Sequence, residues 1–205
     1  MITAREVVFG LFGAWRLARF DPAGLQCFDR SRDGFWRSFW AAVIAAPGYA
    51  ILIYLRLAER LSVDAPLTAG GAPLPPITAG PFRLALVEGI AYVVGWVAFP
   101  LTAWYLVSAM GRAERYFGYI AAYNWASLIP VGAYLLVALI GALGVLPDTI
   151  EILLSLVVTG YVLVYLHYIA RMALGIEVLP AAGLVVIDVL IAIFLSNVVE
   201  GLETR

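Results

Sequence analysis

Cysteine and histidine occur once each in this chain, as Cys27 and His167, and lysine does not occur at all in its 205 residues. One cysteine cannot close an intrachain disulfide, and one cysteine with one histidine cannot assemble a Cys₄ or Cys₂His₂ zinc site. A haem held by two imidazoles is excluded in the same way. Charged residues make up 13% of the chain, about half the share of a soluble domain. The formal net charge is −1, so there is no basic field to neutralise a phosphate backbone, and a nucleic-acid partner is excluded. All 13 basic residues are arginine, which we read as coding composition. The motifs H-E-x-x-H, G-x-x-x-x-G-K-[ST] and G-x-S-x-G are absent too. Catalytic residues, a metal and a cofactor are therefore not expected.

What fills the chain instead is apolar sequence, 63% of it. Five runs, roughly Ser38–Leu55, Leu84–Ser108, Phe117–Leu143, Ile150–Ala170 and Leu179–Val199, match or exceed the ~18–20 residues a helix needs to cross a ~30 Å hydrocarbon layer. The expected fold is all-α, a polytopic membrane bundle of five transmembrane helices preceded by an amphipathic segment, residues 1–37. Within residues 1–20, Ala4, Val7, Val8, Leu11, Trp15 and Ala18 recur at helical spacing, with Arg5, Glu6 and Arg16 on the other side. The uncharged run Val7–Trp15 is short and no A-x-A cleavage site follows, so a removed secretory signal is not expected. Two placements fit this helix: in the membrane interface with Arg19 reaching the headgroups, or packed on the protein's own cytoplasmic face.

Breaks and caps divide the rest. Phe20-Asp21-Pro22 ends the first helix. Asp29-x-Ser31-x-Asp33-Gly34 imitates the opening of an EF-hand loop, but the twelfth position is Trp40 where calcium needs a bidentate Glu, so it reads as a turn. Phe35, Trp36, Phe39 and Trp40 form an aromatic belt for the first span. Pro47-Gly48, Pro100 and Pro130 predict kinks in spans one, two and three. Residues 58–81, with five prolines, read as an extended outer loop. With the N-terminus inside, nine arginines fall on the inner segments and four on the outer, which predicts a cytoplasmic N-terminus and an outside C-terminus in a cell membrane, here a bacterial inner membrane.

Polar residues inside the spans are the candidate site. Asp188 lies near the middle of span five, where a carboxylate costs about 2.5–3.5 kcal/mol on insertion scales and must face the bundle. It reads either as a proton or ion site or as a hydrogen-bonded acid joining helices. His167 lies near the inner end of span four on a tyrosine-rich stretch, Tyr161, Tyr165 and Tyr168, and Asn124 lies in the inner third of span three. Convergence of Asn124, His167 and Asp188 would make a relay or a helix clamp. Glu88, early in span two, is expected to anchor at the outer interface and pair loosely with Arg83.

The roughly 35-residue N-terminal segment, five spans and outside C-terminus, with Gly118-Tyr119 opening span three, resemble the Yip1 family of integral membrane proteins. The Asp-Leu-Tyr-Gly-Pro-type motif of its eukaryotic members is absent, with Ala46-Pro47-Gly48-Tyr49 a distant counterpart, and with it goes the basis for a trafficking or small-GTPase role. The resemblance implies a non-enzymatic protein that organises or adapts membranes and partner proteins. Its expected partners are the lipid bilayer and other membrane proteins or a second copy. The alternative is a small transporter or permease-like subunit with a proton-linked site at Asp188.

Overall fold

The computed structural model describes residues 2–61 and 76–204, with only the backbone of Asp148. Most of the proline-rich stretch 58–81 therefore lies outside the described residues. The order is α1 (Ala4–Ala18), a 3₁₀ segment (Pro22–Cys27), α2 (Arg32–Ser38), α3 (Trp40–Arg60), α4 (Pro81–Ala109), a short 3₁₀ turn (Ala113–Arg115), α5 (Tyr116–Ala126), α6 (Leu128–Ala142), α7 (Asp148–Leu174) and α8 (Val178–Glu203). No strand occurs among the described residues, and the chain is an all-α helical bundle. Five segments are long and apolar enough to cross a membrane: Arg32–Arg60, Pro81–Ala109, Ala113–Ala142, Thr149–Leu174 and Val178–Glu203.

Local sequence accounts for the ends. Thr3 and Glu6 close a reciprocal capping box on α1, Oγ1 accepting from the Glu6 N–H at 3.2 Å and the Thr3 N–H donating to Glu6 at 2.8 Å. The EF-hand mimic is a turn and a cap: Asp29 accepts from the Ser31 N–H at 2.9 Å, and Ser31 Oγ accepts from the Gly34 N–H at 3.0 Å to start α2. Of the three internal prolines, Pro47 and Pro100 sit inside unbroken helices, whereas the helix ahead of Pro130 divides at Ser127 into α5 and α6. A proline at 130 withdraws the N–H that would bond the Ala126 carbonyl, which loosens the ladder there. Tyrosine hydroxyls also bond the backbone of these helices: Tyr92 donates to the Ala42 carbonyl in α3, and Tyr116 to the Pro100 carbonyl in α4 at 2.8 Å.

The core sits around α5, which packs on α1, α2, α4 and α7. Tyr119, Ile120, Ala122 and Trp125 are buried there against Leu17, Phe99, Tyr165 and Leu184. The outward faces of α4, α7 and α8 are apolar, with Val93, Val157 and Phe194 all more than half exposed. Exposed apolar area of that extent is unfavourable in water and is what a bilayer covers. Of the four aromatics expected to form a belt, Trp36 and Trp40 are exposed, whereas Phe35 is buried in the core and Phe39 packs against it.

Candidate functional site

The most organised polar and aromatic chemistry lies where α1 meets the bundle. Tyr161, Tyr165 and Tyr168 of α7 are spaced i, i+4, i+7 and so share one face. Their hydroxyls donate to carbonyls at the end of α1: Tyr165 to Ala14 at 3.0 Å, Tyr161 to Ala18, and Tyr168 to Phe20 at 2.8 Å. Phe20 itself has a left-handed backbone, φ 58°, costly for a bulky residue. Its ring is held edge-on by Tyr161 and Tyr168, with centroids 6.2 and 5.3 Å away.

The face of α1 turned to the protein is narrow and small: Gly10, Gly13, Ala14, Leu17 and Ala18 are buried. Gly10 faces the Trp125 indole, and a Cβ at Gly13 would stand 2.7 Å from the Phe28 ring and 2.8 Å from Cys27 Cβ. Small residues let the helix lie directly on α5 and on the Pro22–Cys27 segment. The opposite face is apolar and uncovered, with Val8 62%, Phe12 52% and Trp15 55% exposed. Arg5 and Arg16 lie against the rings of Phe9 and Phe12. Of the two placements expected for this helix, the structure shows the packed one, α1 lying on the protein itself. Of the predicted apolar stripe, Ala4, Val8, Leu11 and Trp15 face outward, whereas Val7 is partly buried and Ala18 is buried, because the protein contact runs along the neighbouring stripe of Gly10, Gly13 and Ala14.

A bracket of charges ties α1 to α2. Arg37 Nε lies 2.9 Å from Glu6, and its Nη2 lies 2.6 Å from Asp29. The Thr3 backbone N–H holds the Glu6 carboxyl below its ordinary range, and the Ser31 N–H does the same for Asp29, Arg37 adding to both. Lowered folded-state pKa values mean the stabilisation is complete above the ordinary carboxylate pKa of about 4 and is lost as pH falls through the folded values. With spin labels on α1 and α2, the inter-label distance is expected to hold from about pH 7 to about pH 5 and to broaden only below about pH 4. Broadening near neutrality would show that the bracket does not hold the helix.

The three candidate residues inside the spans occupy three separate pairs. Tyr123 of α5 donates to Asp188 of α8, its hydroxyl 2.9 Å from each carboxylate oxygen. Asn124, one residue on and fully buried, donates from Nδ2 to Ser38 Oγ at 2.9 Å, and Ser38 in turn donates to the Phe35 carbonyl at 2.7 Å. His167 Nε2 lies 3.1 Å from the Val178 carbonyl, across the α7–α8 turn. A carbonyl only accepts, so that nitrogen carries the proton. The structure does not bring Asn124, His167 and Asp188 together; each joins two segments. Tyr123 and Ser38 escaped the sequence reading because a single tyrosine or serine in an apolar run carries no signal until its facing helix is known.

Glu88 corrects its expectation. It is buried against the protein, and its partner is Arg56 of α3, not Arg83. Tyr49 also donates to it, at 3.3 Å. Arg56 Nη2 reaches Glu203 of α8 at 2.7 Å, and Arg60 Nη1 approaches the same carboxylate at 3.3 Å. This cluster of four charged residues and Tyr49 closes the end of the bundle opposite α1. Among the described residues no group of three or more His, Cys, Asp or Glu could hold a metal ion.

Fold and surface together define a multi-pass, all-α membrane protein with five membrane-spanning segments. Comparison with protein-family models, curated proteins and solved structures gives no match.

Proposed function

We propose that the protein is a non-enzymatic membrane organiser of Yip1-like type, cytoplasmic at its N-terminus, which acts by holding an amphipathic helix in the interface of one leaflet. The observation that carries this reading is the clamping of α1: three tyrosine hydroxyls fix its end to α7 while Val8, Leu11, Phe12 and Trp15 face away from the protein. An interfacial helix that is free to tumble widens the leaflet with no set depth or angle. One fixed to a transmembrane bundle displaces headgroups at a set depth and angle, which bends or marks the bilayer.

The test is reconstitution into vesicles of defined starting size. The native chain is expected to shift the population to smaller radii or tubules, and the triple substitution L11S/F12S/W15S to leave vesicle size unchanged at equal protein density and thermal stability. Equal remodelling by both would overturn the reading.

The Tyr123–Asp188 pair supports a clamp between α5 and α8. In the variant D188N the Tyr123 hydroxyl still has an oxygen to donate to, so the expected loss of stability is under ~1 kcal/mol. Proton uptake driven by a pH gradient in the native proteoliposomes and abolished by D188N would instead establish the carrier.

A further inference from the structure

At the α1 end of the bundle, a cleft of about 290 Å³ opens between the Pro22–Cys27 segment, the start of α5 and the end of α7. Arg30, Glu114 and Arg115 line it with Leu25, Met172 and Ala173. From this arrangement we infer that the cleft binds the phosphodiester of a membrane phospholipid whose headgroup also carries an O–H or N–H donor.

The two arginines come from distant parts of the chain and are aimed by different devices. The Arg30 stem crosses α5 at Gly118, where a Cβ would stand 3.1 Å from Arg30 Cγ. Among the described residues Arg30 has no ion-pair or hydrogen-bond partner. Arg115 is anchored at one edge, Nη1 donating to the Leu174 carbonyl at 3.2 Å where α7 ends. Its closest carboxylate, Glu114, is 3.9 Å from Nε, a loose pair that leaves most of the guanidinium fork unused. Two open forks match the planar, bidentate geometry with which arginine takes phosphate.

The sum of the charges in the cleft is +1, which suits one phosphodiester rather than a doubly charged phosphate. Glu114 is an acceptor only, so it favours a headgroup with a hydroxyl or ammonium hydrogen over choline, which has none. The apolar residues Leu25, Met172 and Ala173 offer the glycerol and acyl portions a surface beside the arginines. Basic clefts between helices at the membrane surface are suited to lipid headgroups in this way. A free phosphate shares the phosphate chemistry but makes no use of the apolar wall.

The test is native mass spectrometry of the full-length protein in detergent, offered equal amounts of phosphatidylglycerol and phosphatidylcholine with matched acyl chains. Retention of phosphatidylglycerol is expected to exceed that of phosphatidylcholine by about tenfold. That preference is expected to fall to parity in R30Q/R115Q and to persist in R32Q, whose site lies outside the cleft. Because Arg115 also caps α7, R30Q alone is measured beside it, with an intermediate preference expected at unchanged melting temperature. Inorganic phosphate is added as a competitor at the lipid concentration and is expected to leave the lipid bound. Absence of a preference, an unaltered preference in R30Q and R30Q/R115Q, or displacement of the lipid by equimolar phosphate would each overturn the inference.

Discussion

Replacing Glu203 by alanine is expected to destabilise the protein by about 3–5 kcal/mol. Glu203 is fully buried at the last turn of α8, and its carboxylate is the acceptor shared by Arg56 and Arg60. Removing it takes from Arg56 one of its two carboxylates, leaving Glu88, and takes from Arg60 its 3.3 Å contact with Glu203. Arg56 stays about one-third exposed, so water repays part of the loss and the lower end of the range applies. The geometry makes the junction depend on these side chains. The backbone of α3 makes few close approaches to α4 and α8, and the gap is spanned by Arg56, by Tyr49 against Tyr92 at 4.7 Å, and by the Tyr92 hydroxyl on Ala42. The Glu203 carbonyl also receives the N–H groups of Thr78 and Ala79, both at 3.1 Å, so the same turn of α8 orders the entry to α4. Thermal melting in detergent reads the loss. R83A, at the partner the sequence suggested for Glu88, is the control and should change stability by less than about 0.5 kcal/mol. Similar melting of E203A and R83A would refute the assignment.

The second large effect is at Gly13. Leucine there must place its Cβ within 3.0 Å of Phe28, Cys27 and the Gly24 carbonyl, and the backbone of Gly24 cannot move aside without shifting the whole 3₁₀ segment. Overpacking of this kind costs typically about 1–3 kcal/mol, and here the cheapest relief is for α1 to lift off. The only cysteine of the chain reports on it. Cys27 is half-buried beneath α1 and has no other thiol to complicate labelling. In G13L a maleimide is expected to react with Cys27 about tenfold faster or more, since each ~1.4 kcal/mol of undocking raises the open population tenfold. The five spans should keep their helical circular dichroism. G89A, with open space around its Cβ, is expected to label at the native rate. An unchanged rate in G13L would mean that α1 does not lie where Gly13 meets Cys27.

The bundle was legible in the sequence because helix length and apolar run length answer to the same ~30 Å of hydrocarbon, so five runs predict five spans with little else needed. The division at Ser127 was partly legible through Pro130. The polar contacts were not. Asp188 announces itself by its cost in an apolar run, but which residue satisfies it depends on the rotation of α5, and Tyr123 and Asn124 are adjacent residues with different partners. Glu88 and Arg83 are near in sequence, yet helical phase puts Glu88 toward the interior and Arg56 across from it. For α1 the periodicity found an apolar face and missed that a second stripe, Gly10, Gly13 and Ala14, makes the protein contact. Small residues score as weakly apolar, so a packing face built from them is quiet. The clue that could have exposed it was the i, i+4, i+7 spacing of Tyr161, Tyr165 and Tyr168, three hydroxyls on one apolar face in need of acceptors.

The proposed function requires the outward face of α1 to lie in the bilayer while its other face stays docked. Nitroxide labels placed one at a time at positions 5, 8, 11, 12, 15 and 19 in reconstituted, cysteine-free protein, with power saturation by oxygen and by a water-soluble nickel chelate, measure that depth directly. Labels at 8, 11, 12 and 15 are expected to favour oxygen, and labels at 5 and 19 to favour nickel. Nickel accessibility at all six positions would place the helix in water and contradict the account.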